Sequence, residues 1–365
     1  MNEIKLAIII SHPTQYYSPV FQQLAKRLTL KVFFTRDPQV TYDRDFRKHI
    51  QWDIPLLEGY DYQYVSGDCC PALSSFKANR LLIYGWAHTS HLRILMTFHR
   101  KIPIYFRGDS NLLSKSSLLK KGLRMLVLKW VYRHVDIAFF TGKANEAYFL
   151  KYGLNTEQLK FAPHSVDNDR FKPRAENQQQ AHEIRRKLGI GNAQTLILFA
   201  GKFTAVKNPM LLLKAFIAAA IPHTALLLVG NGLCEGRLKN LAKNHPESNI
   251  HFLPFQNQSQ MPAIYQACDL FCMPSLHETW GLAINEAMAS GKPILSSERV
   301  GCAPDLLQPD NSLVFKHNSL TDLRRCLTLM AQDKSRLRDQ GRSSFKLISS
   351  WTIKKQVNCI LYGIQ

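Results

Sequence analysis

The sequence has no uninterrupted apolar stretch near the roughly 20 residues that a membrane-spanning helix requires. Its N-terminal apolar run, Ile4–Ile10, is short, contains Lys5 and leads directly into polar Ser11 and His12. That is not the pattern of a secretory signal peptide. We therefore expect a cytoplasmic protein without a membrane span, or a peripheral protein on the inner face of the plasma membrane.

Cysteine pairs with the spacing of a zinc site are also missing. The eight cysteines are scattered, and Cys268 and Cys272 flank an apolar strand-like run, which favours ordinary buried thiols. Such scatter is typical of a reducing cytosol. Asp167 and Asp169 resemble a metal-binding pair, but their place in a turn-rich segment favours turn and capping roles. We expect no metal site.

Acidic residues are scarce relative to basic ones. There are 27 acidic against 47 basic residues, for a formal net charge of +20. This excess favours an anionic partner, either nucleic acid, an acidic membrane surface or a phosphorylated substrate, without selecting one of them. Hydrophobic residues make up 45% of the chain, which excludes wholesale disorder.

Short apolar runs alternate with helical patterns along the whole chain, which is typical of parallel sheets covered by helices on both faces. A break in this alternation near residue 170 predicts an N-terminal domain over 1–170 and a second doubly wound domain over 171–350. Residues 351–365 form a helical tail that we expect to return to the first domain. The predicted strands are Leu6–Ile10, Lys31–Phe34, Leu81–Tyr84, Ile102–Phe106, Val135–Phe140, Thr195–Ala200, Ala225–Val229, Ile250–Leu253, Leu270–Met273, Pro293–Ser296 and Leu313–Phe315.

The segment 274–291 carries the most specific pattern. It follows a predicted strand, contains Glu278 and Glu286, and has a helix beginning near Gly281. The free backbone N–H groups of Gly281 and Leu282 at a positive helix end form a natural phosphate site. Carboxylates on either side could accept hydrogen bonds from sugar or ribose hydroxyls. Taken alone, the two glutamates could equally be a capping acid and a surface residue.

Two further loops lie after strands of the same predicted sheet. The strand 195–200 is followed by Gly201 and by Lys202 and Lys207, which could converge on one diphosphate. A Gly-x-Gly turn, Gly230 to Gly232, follows the next strand and is a weak signal by itself. In doubly wound sheets, ligands bind beyond the carboxyl ends of the strands, where all three loops are expected.

In combination, these loops closely resemble the C-terminal half of the family 4 retaining glycosyltransferases, including the family's Glu-x7-Glu pattern at Glu278 and Glu286. The resemblance implies the GT-B fold: an α/β protein of two Rossmann-like, doubly wound domains facing a central cleft. It implies catalytic roles for Lys202, Lys207 and Glu278, with the lysines neutralising a donor diphosphate and Glu278 contacting the sugar. The donor-binding residues that it implies are Gly201, Gly230, Asn231, Gly232, Phe255, His277, Thr279, Trp280, Gly281, Leu282 and Glu286, with Glu286 on the nucleotide ribose.

Two positions depart from the family pattern. Lys202 stands where arginine is more common, so a bidentate clamp becomes a point charge. Trp280 replaces a commoner phenylalanine, which could change the selection of the donor sugar. The fold that this sequence resembles generally works without a divalent metal, so we expect no cofactor besides a nucleotide-sugar co-substrate, UDP- or GDP-linked.

The N-terminal half is more divergent from the family. Polar residues at predicted strand ends are candidate acceptor or donor contacts: His12, His88, Arg107 and Asp109. The alternatives are ordinary loop histidines and a structural ion pair between Arg107 and Asp109.

The stretch 115–133 combines six basic residues with apolar ones and contains no acid. Leu119, Leu123, Leu126 and Trp130 follow helical spacing. This face packs on the N-terminal sheet or lies in the interface of an anionic membrane, and both hold if the apolar residues pack while the lysines meet lipid headgroups.

Together these features predict a retaining glycosyltransferase of hexosyltransferase type that uses a glycan or lipid-linked glycan acceptor in cell-surface polysaccharide synthesis. No nucleic acid partner is expected. The alternatives are a sugar-nucleotide epimerase of the same fold and a non-catalytic basic protein that binds membrane or RNA.

Overall fold

The computed structural model describes residues 3–36, 42–43, 45–114 and 117–365. Its strands, in chain order, are β1 (Lys5–Ile10), β2 (Thr29–Phe34), β3 (Tyr42–Asp43), β4 (Lys48–His49), β5 (Asp61–Tyr64), β6 (Arg80–Tyr84), β7 (Ile104–Arg107), β8 (Ile137–Phe140), β9 (Leu159–Phe161), β10 (Thr195–Ala200), β11 (Thr224–Val229), β12 (Ile250–Leu253), β13 (Leu270–Met273), β14 (Ile294–Ser297) and β15 (Ser312–Phe315).

The helices connect these strands. They are α1 (Ser18–Ala25), α2 (Cys70–Phe76), α3 (Thr89–Phe98), α4 (Leu118–Tyr132), α5 (Lys143–Lys151), α6 (Asn168–Phe171), α7 (Ala175–Lys187), α8 (Pro209–Ala219), α9 (Glu235–Lys243), α10 (Met261–Ala267), α11 (Leu282–Ala289), α12 (Ala303–Leu306), α13 (Leu320–Ala331), α14 (Lys334–Ile348) and α15 (Ile353–Ile364).

The first unit is built on a parallel sheet with the strand order β5-β2-β1-β6-β7-β8-β9. Alternate residues of β1 belong to different core clusters, with Leu6 and Ile8 in one and Ala7 and Ile9 in the other. Successive side chains of a strand point to opposite faces. Both faces of this sheet are therefore buried, which explains why β1 is apolar throughout rather than alternating.

The second unit has a parallel sheet with the order β12-β11-β10-β13-β14-β15. Its central strand β10 reads Thr-Leu-Ile-Leu-Phe-Ala and is buried along nearly its whole length. Helix α8, which follows β10, begins with Pro209, whose fixed φ angle suits the first helical position. Both units are α/β structures with the parallel sheets expected from the sequence.

The two structural units do not meet at the single boundary predicted near residue 170. The first unit contains 54–165 and 351–365 together with the described residues before 37, and the second contains 42–53 and 166–350. The segment 42–53 was predicted within the N-terminal domain, but it packs with the second unit. Helix α15 packs on α1 of the first unit, where Ile360 and Ile364 are completely buried.

Most predicted strands agree with the structure within two residues, and β10, β12 and β13 have the predicted bounds. The short strands β5 and β9 were missed, because their exposed polar residues hide the apolar pattern. The stretch 170–182, which follows the predicted domain boundary, lies mostly in α6 and α7.

Candidate functional site

The candidate donor site lies at the carboxyl edge of the second sheet. Strand β10 pairs with both β11 and β13, so the loops that follow these three strands emerge side by side. These are the loops that carry the lysines, the Gly-x-Gly turn and the Glu-x7-Glu segment. The sheet topology therefore brings together three motifs that are far apart in the sequence.

Two glycines in these loops occupy positions that a side chain could not. A Cβ atom on Gly230 would lie 2.0 Å from the carbonyl oxygen of Gly201. Gly281 has a φ angle of +101°, and a Cβ there would lie 2.7 Å from Val300 Cγ1. Glycine tolerates both the left-handed conformation and the close approach. The loops of Gly201 and Gly230 are consequently packed directly against each other, while Gly281 is packed against the Val300 side chain.

Glu278 and Lys207 form a close charged contact in the site. Lys207 Nζ lies 2.5 Å from Glu278 Oε1, and the Ser275 hydroxyl donates to the same oxygen at 2.8 Å. Glu278 is 8% exposed, so it is not a solvated surface acid. The two loops are also joined by a hydrogen bond from the Leu276 N–H to the Val206 carbonyl at 2.8 Å. This network fixes a carboxylate and an ammonium beside the start of α11.

Helix α11 begins after Gly281, as the sequence predicted, and carries Glu286 one turn further on. Glu286 is 3% exposed and accepts a hydrogen bond of 2.9 Å from the Tyr265 hydroxyl. The first N–H groups of a helix have no partner within that helix, and they point toward its positive end. An anion bound at the N-terminus of α11 would therefore meet both these N–H groups and Lys207.

Trp280 does not present an open ring face. Its side chain is buried, and its indole N–H donates to Asn285 Oδ1 at 3.0 Å. The residue thus links the loop to the first turn of α11. Its neighbours His277 and Thr279, both expected at the donor, belong to the same loop.

Lys202, the second expected diphosphate ligand, contacts two carboxylates. Its Nζ atom lies 3.0 Å from Asp43 Oδ2 and 3.1 Å from Asp45 Oδ2. Sequence reasoning missed both aspartates, since nothing local to residues 42–53 indicates that they pack with a lysine more than 150 positions later. The only signal available was the Asp-x-Asp spacing itself, which is common in turns.

The Gly-x-Gly turn positions the residue expected near the base. Asn231 Oδ1 accepts a 2.7 Å hydrogen bond from the backbone N–H of Phe255, and its amide nitrogen donates to Glu235 at 3.0 Å. The ring of Phe255 contacts Phe46 and Trp52. Asn231 therefore holds the segment after β12 at the same sheet edge as Lys202.

The candidate contact residues of the first unit differ in their surroundings. Arg107 ends β7, is completely buried, and donates to the carbonyls of Ala162 and Pro163 at 2.9 and 3.0 Å. These bonds give it a structural role in the turn after β9. Asp109 lies two residues after Arg107. Burial is the main reason that the pKa of Tyr17 is raised, and the negative charge of Asp109 raises it further.

His12 and His88 lie after β1 and directly before α3. The pKa of His12 is lowered, first by burial and then by the positive charges of Arg36 and His88. His88 contacts His91, with ring centroids 5.0 Å apart. His12 and His88 thus lie at the carboxyl ends of neighbouring strands, where substrate contacts are expected.

Helix α4 carries the basic stretch, of which Lys115 lies outside the described residues. Leu119, Leu123 and Leu126 are exposed to 87%, 66% and 70%. The interpretation that this face packs on the sheet is therefore wrong for these leucines. The face that packs on the core consists instead of Leu128, Val131 and Tyr132, and Trp130, the fourth residue of the predicted stripe, does pack against this core.

Among the described residues, no helix is long and apolar enough to cross a membrane. The part of the chain that the structure describes also contains no group of three or more histidine, cysteine, aspartate or glutamate residues arranged to hold a metal ion.

Comparisons with known proteins agree with this geometry. Residues 180–346, all within the second unit, match the family model described as "Glycosyl transferases group 1". A solved structure of HepE from Anabaena, in complex with UDP and glucose, superposes with a TM-score of 0.77 over 99% of both chains at 16% identity. The chain therefore has the GT-B fold, and residues 180–346 of its second unit are similar to the glycosyltransferases of group 1.

Two curated relatives are similar to this chain over part of their length. The D-inositol 3-phosphate glycosyltransferase of Nocardia farcinica is 26% identical over 202 residues, 52% of this chain and 43% of the relative. The GDP-mannose-dependent monoacylated alpha-(1-6)-phosphatidylinositol monomannoside mannosyltransferase of Corynebacterium glutamicum is 28% identical over 252 residues, 66% of this chain and 62% of the relative. The matched segments thus span less than two thirds of either relative.

Proposed function

We propose that this chain is a glycosyltransferase that moves a hexose-type sugar from a nucleoside-diphosphate sugar to a glycan or lipid-linked glycan acceptor. The observation that carries this proposal is the Lys207–Glu278 pair, 2.5 Å apart, in which Glu278 lies in the loop before α11 and buried Glu286 lies on α11 itself. This arrangement offers cationic and N–H groups for phosphate beside carboxylates for hydroxyl groups. UDP, UDP-linked and GDP-linked ligands of the similar proteins support such a donor.

In the proposed reaction, the bond between the anomeric carbon and the diphosphate oxygen breaks while the acceptor oxygen bonds to that carbon. The acceptor proton passes to an oxygen of the departing phosphate. Negative charge grows on the diphosphate during this step, and Lys202, Lys207 and the N-terminus of α11 stabilise it. Because these groups supply the charge that a metal would otherwise provide, we expect transfer to continue in EDTA.

Retention of the anomeric configuration is part of this proposal and is supported by the resemblance carried by Glu278 and Glu286. A lipid-linked acceptor is supported by the named acceptor of the corynebacterial relative, a phosphatidylinositol mannoside, and we propose a role in cell-surface polysaccharide synthesis with it. Nuclear magnetic resonance of the product would test retention directly, because the anomeric coupling constant distinguishes the two outcomes.

Nucleotide binding tests the donor assignment. If Glu286 binds the ribose, Glu286→Ala should weaken binding by about 1.5–3 kcal/mol, the range for a hydrogen bond to a charged group. Calorimetry with UDP, GDP and ADP measures this and also identifies the base. Equal affinity of the variant and the wild type for the preferred nucleotide would contradict the assignment.

We further propose that the chain binds anionic membrane surfaces peripherally through α4. Lys120 and Lys121 are exposed beside the exposed leucine stripe of Leu119, Leu123 and Leu126. A helix with basic and apolar exposed residues can lie in the headgroup region of an anionic bilayer. This would bring the first unit close to a lipid-linked acceptor.

A further inference from the structure

One segment early in the chain lies over the candidate nucleotide site of the second unit. We name it the acidic-aromatic segment and define it as residues 42–43 and 45–53. It includes the antiparallel pair β3 and β4 and packs with the second unit, although its neighbours in sequence belong to the first. Neither the site assignment nor the comparisons give this segment a function.

The acidic end of the segment contacts Lys202. Asp43 and Asp45 each place a carboxylate oxygen within 3.1 Å of the Lys202 ammonium. Burial raises the pKa of Asp43, but the N–H of Phe46 and the charge of Lys202 outweigh it, so the pKa lies below its ordinary value. The two carboxylates thus contact one ammonium, as we expect the two phosphates of a nucleoside diphosphate to do.

The aromatic end contacts Phe255. The Phe46 and Trp52 rings lie 5.0 and 6.0 Å from the Phe255 ring, both at 70° to it. The Lys202 ammonium lies over the Phe46 ring at 5.2 Å, so the same lysine contacts both the carboxylates and one aromatic ring of the segment. These rings cover the residue expected to border the base.

Backbone contacts hold the segment along this edge. A Cβ atom on Gly232 would lie 2.9 Å from the Asp45 carbonyl oxygen, so the glycine is needed for the close approach. Further along, Asn257 Nδ2 donates to the Gln51 carbonyl at 2.7 Å, and the Ser259 N–H donates to Asp53 at 3.1 Å. The segment therefore follows the turn after β11 and the loop after β12.

A diphosphate bound to Lys202 would bring its charges beside Asp43 and Asp45. Like charges at such short separation repel strongly where water is partly excluded. The aspartates and a bound diphosphate would therefore compete for the same ammonium.

We propose that the acidic-aromatic segment is an internal substitute for the donor nucleotide. Its carboxylates bind the Lys202 ammonium in place of the diphosphate. Its rings contact the Phe255 ring in place of the base. This inference rests on the proposed function, because it takes Lys202 and Phe255 as donor-binding residues. The segment keeps the donor site closed until a nucleotide displaces it.

The first test removes the two negative charges without changing their shape. In Asp43→Asn/Asp45→Asn, UDP or GDP should bind about three- to tenfold more tightly, because a partly exposed ion pair is worth on the order of 1 kcal/mol and no longer competes. The matched control, Asp310→Asn/Asp339→Asn, makes the same change of net charge at exposed positions of the same unit. Its affinity should stay near that of the wild type.

The aromatic end is tested with Phe46→Ala. If Phe46 takes the place of the base at Phe255, it competes with the nucleotide, so Phe46→Ala should increase the affinity for UDP or GDP. As a permanent wall of the base pocket, it would favour the nucleotide, and its removal would weaken binding. Weaker or unchanged binding in both Phe46→Ala and the Asp43→Asn/Asp45→Asn variant overturns the inference.

Hydrogen exchange of the wild-type protein gives an independent result that does not depend on any variant. Backbone amides of residues 45–53 should exchange faster in saturating UDP or GDP, because the segment withdraws. Slower exchange would identify a clamp that closes over the nucleotide, which contradicts the inference but leaves the donor assignment intact. If neither wild type nor variants bind any of UDP, GDP and ADP, the proposed function fails, and this inference fails with it.

Discussion

At the residue scale, Lys207 is the cation best placed for the proposed chemistry. It is a third exposed and lies at the carboxyl edge of the sheet, held by the buried carboxylate of Glu278. A lysine that stabilises a leaving group acts mainly in the transition state, where the charge has developed. Its contribution should therefore appear in turnover more than in ground-state binding.

We predict that Lys207→Ala and Lys202→Ala each lower kcat for sugar transfer or donor hydrolysis by about 10²-fold or more, the loss typical of one electrostatic stabiliser. Lys187→Ala is the matched control, since Lys187 is exposed at the end of α7 in the same unit. Steady-state kinetics with the preferred donor measures all three. Equal losses at the three positions would show that general basicity matters, rather than the position of the two site lysines.

His91 makes the stability of the first unit depend on pH. Burial is the main reason that its pKa falls to about 4, with the charge of nearby His88 contributing. Its ring is completely buried, with Nδ1 2.9 Å from the Gly85 carbonyl oxygen and Nε2 2.9 Å from Thr35 Oγ1. Between about pH 6.5 and 4, the unfolded chain binds a proton at this residue that the folded chain does not.

The free energy of unfolding should therefore fall as the pH falls through this window. From pH 7.5 to 5, His91 accounts for about 2 kcal/mol of the loss, at 1.36 kcal/mol per pKa unit. Denaturant unfolding of wild type and His91→Gln at both pH values measures this. The variant should be less stable at pH 7.5 but lose less on acidification, while His182→Gln, at an exposed position of α7, should behave as wild type. Parallel losses in all three proteins would refute the role of His91.

At the scale of elements, helix α4 has one face that packs in the core and another that exposes apolar residues. Its buried face packs under the first sheet through Leu128 and Val131. The opposite side exposes the leucine stripe next to basic residues, and exposed apolar groups of this kind commonly mark an interaction surface. The Ser117 hydroxyl caps its first turn by accepting from the Lys120 N–H.

We predict that the protein sediments with vesicles containing anionic lipid and is released as salt rises, because each near-surface charge contributes about 1 kcal/mol and is screened. Lys120→Glu/Lys121→Glu/Arg124→Glu should abolish this binding while donor hydrolysis in solution persists. The control Arg324→Glu/Arg336→Glu/Arg338→Glu makes the same charge change on helices α13 and α14 of the second unit. Binding that is equal for neutral and anionic vesicles would remove the membrane proposal.

At the scale of the whole molecule, the chain crosses between its two units more than once. Residues 42–53 join the second unit, and α15 returns to the first. The inner face of α15 contributes Val357, Ile360 and Ile364 to the core that contains β1 and β2. The last helix is therefore part of the first unit's fold rather than a tail of the second.

We predict that Ile360→Ala lowers the unfolding free energy of the first unit by about 2–5 kcal/mol, the cost of a large-to-small change in a core. Tyr362→Ala is the matched control on the same helix, because Tyr362 is 79% exposed, and it should change stability by less than about 0.5 kcal/mol. Denaturant unfolding with tyrosine and tryptophan emission measures both. Nucleotide binding by the second unit should survive in native buffer, and its loss in Ile360→Ala would show that the two units do not keep their structures separately.

The sequence alone determined the two parallel-sheet units, the bounds of β10, β12 and β13, and the three loops that form the candidate donor site. These features follow from local patterns: buried strands are continuously apolar, glycines are needed at tight turns, and a helix begins after Gly281. The placement of Glu286 on α11 and of Glu278 in the loop before it was likewise readable, since the helix was predicted to begin near Gly281.

Only the tertiary structure decided that Asp43 and Asp45 contact Lys202, that Arg107 is buried against carbonyls, and that the leucine stripe of α4 is exposed. A periodic pattern shows that a helix has an apolar face, but not whether a neighbour covers it. The contacts of Lys202 join residues more than 150 positions apart, and no local propensity carries that pairing. Such contacts depend on how all the elements pack at once, which is the physical reason that the sequence left them open.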